Sequence, residues 1–209
     1  MTEYEIEPIP GLPGLLPPGE RILWQGAPDW RALARHAFHT RLVAGYFAGL
    51  TLVALLAADG RYVGTGMTAA LGLVAIALLH ALAWGAARTT LYTLTNRRIV
   101  LRIGIAVPKC VNLPLPMIAA VDFAGRADAT GDLPLRLTGA PRLGYLALWP
   151  HARPWAIARP QPMLRCLPDA ANVAALVART CLAACPDGRI APAPLPADTV
   201  PALTRAHAA

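Results

Sequence analysis

Few side chains in this sequence are placed to do chemistry. His80 lies inside an apolar stretch, GLVAIALLHALAWGAA, where a polar ring is costly and is by default a functional candidate. His36 and His39 form an HxxH pair beside Arg35 and Arg41, but a metal centre needs further ligands than this pair supplies. Cys110, Cys166, Cys181 and Cys185 make no CxxC pair, and Cys181 and Cys185 stand at i,i+4 in a helical pattern. They read as small buried thiols of a reducing compartment. Asp122, Asp128 and Asp132 miss the spacing of a calcium loop and suit soluble loops. No nucleophile elbow, phosphate-binding loop or dinucleotide fingerprint is present, so no enzymatic activity, cofactor or metal is expected.

The charges have a clearer order. A net charge of +7 and a pI near 9.8 point to an anionic partner, either nucleic acid or lipid. Arg31, Arg35 and Arg41 precede one apolar run, and Arg88, Arg97, Arg98 and Arg102 follow the next. Basic residues bracketing apolar runs are the mark of cytoplasmic flanks, and no basic-aromatic signature of nucleic-acid binding appears. Arg97, Arg98 and Arg102 have three readings. They could meet lipid headgroups, at ~1 kcal/mol each, meet the acidic patch of a protein partner, or form an ordinary solvated strand face.

The elements that carry these residues follow from hydropathy. The hydrophobic fraction of 56% and mean hydropathy of +0.44 are concentrated between Leu42 and Ala87. Residues 42–58 are uncharged and 63–87 carry only His80, with a short link, Asp59-Gly60-Arg61-Tyr62, between them. That pattern predicts a transmembrane helical hairpin over 42–87 with both termini in the cytoplasm. Residues 1–19 are Pro- and Gly-rich, lack a signal-peptide pattern and are expected to be flexible. Residues 20–41 predict a juxtamembrane strand and an amphipathic helix, with Trp24 and Trp30 suited to an interface.

From Thr89 the period changes to that of strands. LYTLT and RIVLRIG flank a two-residue turn at Asn96-Arg97, since Asn tolerates a positive φ. VPKCVNL, AAVDFAG, LPLRLTG, GYLALWP and PMLRCL continue the strand pattern between turn residues. Asp169 can cap a closing helix with Val173, Leu176, Val177 and Cys181 on one face, stopped by Pro186. The expectation is an α+β membrane protein: a hairpin, then an antiparallel β-sandwich or barrel over 88–185 closed by a C-terminal helix. A disordered tail follows at 186–209.

Strands closed by a C-terminal helix resemble the pleckstrin-homology (PH) fold, and YTLTNRRIV resembles the first hairpin of its membrane-anchored bacterial version. A closer resemblance runs through ERILWQGAPDWRALARHAFHTRLVAGYF, NLPLPMI, TGDLPLRL and LWPHARPWAIARPQPMLRCLPDAA. These strings are similar to the PuhB-type photosynthetic complex assembly proteins of purple bacteria, over roughly residues 18–184. The resemblance implies a non-enzymatic role in building the reaction centre and core antenna at the intracytoplasmic photosynthetic membrane. Reaction-centre subunits, the H subunit among them, would be the partners, together with membrane lipids.

In that setting His80 becomes a candidate axial ligand for bacteriochlorophyll magnesium. Antenna helices that resemble such a site carry a small residue four positions earlier, whereas Ile76 stands here, and a hydrogen bond to the neighbouring helix is the preferred reading. Gly45 and Gly49 form a GxxxG that allows close helix approach, either to a second copy in a homodimer or to the second span of the same chain. The alternative function is a general membrane-anchored, PH-like lipid- or protein-binding module of the cell envelope.

Overall fold

The computed structural model describes residues 10–12, 14–60, 62–105, 107–139 and 143–184. The expected tail, Cys185 and Pro186 lie outside these residues, as do residues 1–9 of the segment expected to be flexible.

Alternating apolar residues build the first sheet. It runs β1 (Ile22–Gly26), β2 (Leu91–Thr95), β3 (Arg98–Ile103) and β4 (Lys109–Pro114), all neighbours antiparallel. Ile99, Leu101 and Ile103 share one face of β3 and enter the core, as their period of two dictates. The turn at Asn96-Arg97 forms as expected, with Leu94 paired to Ile99. Its asparagine serves another purpose than a positive φ, however. Asn96 Oδ1 accepts from the Arg21 backbone N–H at 2.9 Å and its Nδ2 donates to the Gly19 carbonyl at 3.0 Å.

The strand expected in 20–41 therefore belongs to the sheet. β1 pairs with β2 across a long insertion that holds α1 (Trp30–His36), α2 (Thr40–Leu56) and α3 (Val63–Thr89). Part of the segment expected to be mobile is docked as well: Leu12 is 1% exposed, and Gln25 donates to the Pro10 carbonyl at 3.0 Å. Trp24, expected at an interface, instead packs against the core, its ring so close over Gly26 that a Cβ there would lie 2.3 Å from it.

The second sheet is centred on β7 (Gly131–Leu137). β5 (Ile118–Val121) and β6 (Ala124–Gly125) pair with it successively, and β8 (Met163–Leu167) also pairs with it. Among the described residues no strand pair joins the two sheets, so the arrangement is a sandwich and the barrel alternative is not realised. The core between them includes Leu101, Leu115, Leu133 and Leu135. Burial of such a side chain contributes ~1.5–3 kcal/mol. Val173, Val177 and Cys181 of α5 (Ala170–Ala184) complete it. The Asp169 carboxylate accepts from the Asn172 side-chain amide at 2.9 Å.

GYLALWP, expected as a strand, forms one helical turn, α4 (Tyr145–Leu148). Tyr145 and Leu148, three apart, both turn to the core while Leu146 is 87% exposed, which a strand could not arrange.

α2 and α3 pack against each other, tightly where Gly72 meets Phe47: a Cβ at Gly72 would lie 2.7 Å from the Phe47 side chain. α3 is long and apolar enough to cross a membrane by length and composition, and most of it is unburied. α2 meets that test only together with α1, as a pair bent by 54°.

Candidate functional site

The helices meet the sandwich at one junction. α1 is wedged there, with Ala32, Leu33 and Ala34 buried against Ala83, Ala86 and Ala87 of α3 and Cys166 of β8. Alanines on α3 let the helices approach closely. Asp29 caps α1 by accepting from Ala32 N–H at 2.6 Å, and its own N–H donates to the Cys166 carbonyl at 2.8 Å. The helix expected along the membrane surface therefore buries its apolar face in protein.

A buried polar chain crosses the junction. Thr90 Oγ1, just past α3, donates to the Ala86 carbonyl at 2.7 Å and so accepts from His151 Nε2–H at 3.1 Å. His151 Nδ1 then accepts from the Tyr92 hydroxyl at 2.6 Å, which accepts in turn from the Arg165 backbone N–H at 3.2 Å. This pattern assigns the neutral imidazole with its proton on Nε2. Burial first, and the Arg165 charge second, depress the His151 pKa to about 3. Burial likewise raises the Tyr92 pKa. Both groups are neutral at physiological pH and act as connectors. The Arg165 guanidinium, 7% exposed as a residue, donates to the carbonyls of Pro150 at 2.8 Å and of His36, at the end of α1, at 3.1 Å.

The network was not anticipated from sequence. Tyr92 in the middle of a strand and His151 inside LWPHARPW carry weak signals: both have polar atoms that burial forces into partnership.

The arginines at the β2–β3 hairpin separate into different roles. Arg98 forms a two-point ion pair with Glu20, Nε to Oε1 at 2.8 Å and Nη2 to Oε2 at 3.1 Å. Burial opposes ionisation of Glu20, but hydrogen bonds from Arg98 and Thr95 and the charges of Arg98 and Arg97 outweigh it and lower its pKa. Arg98 thus ties the N-terminal segment to the sheet. Arg97 is exposed in the turn, and Arg102 is half-buried on β3 opposite Cys110.

The three aspartates, expected only as soluble loop residues, each hold an arginine. Asp122 pairs with Arg136 at 2.9 Å and Arg153 at 3.3 Å. Asp128 pairs with Arg35 at 3.2 Å and lies 3.9 Å from His36 Nε2. Burial and the Arg126 charge lower the His36 pKa against the pull of Asp128. Asp132 pairs with Arg126 and accepts from Cys166 N–H at 2.7 Å. Burial and Asp132 push the Cys166 thiol up to about 12.

His80 donates from Nδ1 to the Ile76 carbonyl of its own helix at 2.9 Å, rather than to the neighbouring helix, and its ring meets Trp30 edge-on at 6.5 Å. His39 opens α2 with φ of 51°. Gly45 and Gly49 are exposed, with nothing within 4 Å of a Cβ built on either, so this face of α2 does not contact α3. Close packing between the helices falls on Gly72 instead.

The sequence matches the bacterial PH domain family over residues 42–180. It is also 36% identical, over 92% of this chain and 94% of the relative, to a 23.7 kDa protein of Rhodobacter capsulatus described as lying in the puhA 5' region. No solved structure matches significantly. The PH-like sandwich and the extent of the match agree: the chain belongs to the bacterial PH domain family.

Proposed function

We propose that this protein is a non-enzymatic membrane assembly factor for the photosynthetic reaction centre and its core antenna. The observation that carries this reading is the relative in the puhA 5' region, similar along nearly the whole of both chains. In this reading α2 and α3 form a two-span hairpin in the intracytoplasmic membrane with both termini in the cytoplasm. Arg31, Arg35, Arg88, Arg97 and Arg102 on the flanking segments support that orientation. The hairpin leads through the hydrogen-bonded Thr90–His151–Tyr92 junction into the sandwich, holding the domain at a fixed attitude to the bilayer.

Immature subunits, the H subunit among them, bind the domain through protein contacts. Trp155 at 91% exposure, Leu146 at 87% and Ile157 at 65% give it large apolar side chains to offer such a client. A second copy docks on the open Gly45–Gly49 face of α2. Deleting the gene and measuring reaction-centre content under photosynthetic growth tests the function. A marked loss is expected, and normal content would overturn the reading.

A further inference from the structure

Where the C-terminal end of α3 passes α1, a crevice of about 200 Å³ opens between Pro28, Trp30, Trp84, Ala87 and Arg88. Its two indoles come from different elements, Trp30 from the first turn of α1 and Trp84 from the last turns of α3. Each carries a cation on its face: Arg31 lies 5.2 Å from the Trp30 ring and Arg88 5.3 Å from the Trp84 ring. Both arginines are exposed, and among the described residues neither is ion-paired. They differ in this from Arg98, Arg35, Arg126, Arg136 and Arg153, which all hold carboxylates. The neighbouring Asp29 carboxylate is committed to the Ala32 N–H.

We propose that this crevice binds the headgroup of an anionic phospholipid, with Arg31 and Arg88 meeting the phosphate and the two indoles enclosing the glycerol region. Three features favour a lipid over a protein carboxylate. Trp and Arg together at the end of a spanning helix sit at headgroup depth, where indoles and basic side chains are both favoured. Leu73, Ala77 and Ala81 continue from Trp84 and Arg88 at helical i, i+3 and i+4 spacing, and all three are exposed. That gives acyl chains an apolar track below the headgroup. Finally, Arg88 lines the crevice itself, and Arg31 stacks on Trp30, another of its walls. The site lies apart from the β2–β3 hairpin, and lipid bound there bridges α3 to α1 at the junction that fixes the domain's attitude.

The inference rests on α3 crossing the bilayer, which alkaline carbonate extraction of membranes checks separately. Release of the protein would remove that premise and the proposal together, whereas retention leaves the site to be tested by itself. The full-length protein in detergent is titrated with phosphatidylglycerol or phosphatidylcholine brominated on the acyl chains, and quenching of tryptophan emission is followed. Wild-type protein is expected to prefer phosphatidylglycerol about tenfold. R31Q/R88Q should reduce that preference to about twofold or less, while R97Q keeps it. Equal quenching by both lipids, or full preference in R31Q/R88Q, overturns the proposal. Displacement of the lipid by millimolar inorganic phosphate would also overturn it, by showing a simple anion site. If near-ultraviolet circular dichroism shows the double variant misfolded, R88Q alone decides, since Arg88 is a surface residue whose loss must still lower the preference.

Discussion

Tyr92 and His151, 59 positions apart in the chain, meet inside the protein with the phenol hydroxyl 2.6 Å from imidazole Nδ1. Both are essentially inaccessible, at 0% and 1% exposure. The pair sits where α3 ends and the sandwich begins, so the hydrogen bonds that join one to the other run through a neutral histidine.

That requirement has a pH signature. The folded His151 pKa of about 3 lies below the ordinary 6.5. Between those values the unfolded chain binds a proton that the folded chain refuses, so stability falls as pH drops from about 6.5 towards 3, at up to ~1.4 kcal/mol per pH unit. Thermal unfolding of the full-length protein in detergent between pH 7 and 5 should show this decline, and H151Q should flatten it. An unchanged slope in H151Q would place the acid sensitivity elsewhere.

Arg97 and Arg98 are adjacent but should respond unequally to substitution. The Glu20 side chain is 2% exposed and that of Arg98 25%, so R98Q leaves a carboxylate stranded. A loss of roughly 2 kcal/mol is expected after allowing for partial solvent access, whereas R97Q should fall within about 0.5 kcal/mol of wild type. The contribution of Glu20 is present above its unfolded pKa of 4.5 and is lost as pH falls through its lowered folded value. Denaturant titration of both variants at pH 7 measures the contrast, and equal midpoints would refute it.

The glycines of the helices should also divide. Because a Cβ at Gly72 would stand 2.7 Å from Phe47, G72L must force α2 and α3 apart. G45L and G49L meet open space and should leave that packing intact. Cysteine pairs placed across α2 and α3 should crosslink in G45L but poorly in G72L. If a homodimer uses the open face, G45L lowers intermolecular crosslinking alone.

Cys166 should be chemically quiet. With its thiol pKa pushed up to about 12 and its side chain inaccessible, iodoacetamide at pH 8 should leave it unmodified in the folded protein. Denaturation should expose it at once. Rapid alkylation of the native protein, located by peptide mass spectrometry, would mean that the α1–β8 contact opens readily.

Much of the architecture could be read from local pattern. The apolar runs behind α2 and α3, the period-two alternation of LYTLT and RIVLRI, the two-residue turn between them and the closing helix depend on short-range spacing. A change of period marks each boundary. Where an apolar run was short, as in GYLALWP, the local pattern pointed to a strand, and packing of Tyr145 and Leu148 into the core decided for a helical turn instead.

The tertiary structure alone decided which distant segments share an environment. β1 joins β2 across the inserted helices because its backbone groups and the side chains of Leu23 and Trp24 find partners there, not because of any local signal. The same holds for the arginines. Sequence established a basic flank, but only folding brought Glu20 to Arg98, Asp128 to Arg35 and Asp122 to Arg153, leaving Arg31 and Arg88 on their indoles. Charge is a property of a residue and is legible in order along the chain. Whether that charge is spent on the protein's own carboxylates or left for a ligand depends on which residues meet in space, and in this protein those meetings span tens of positions.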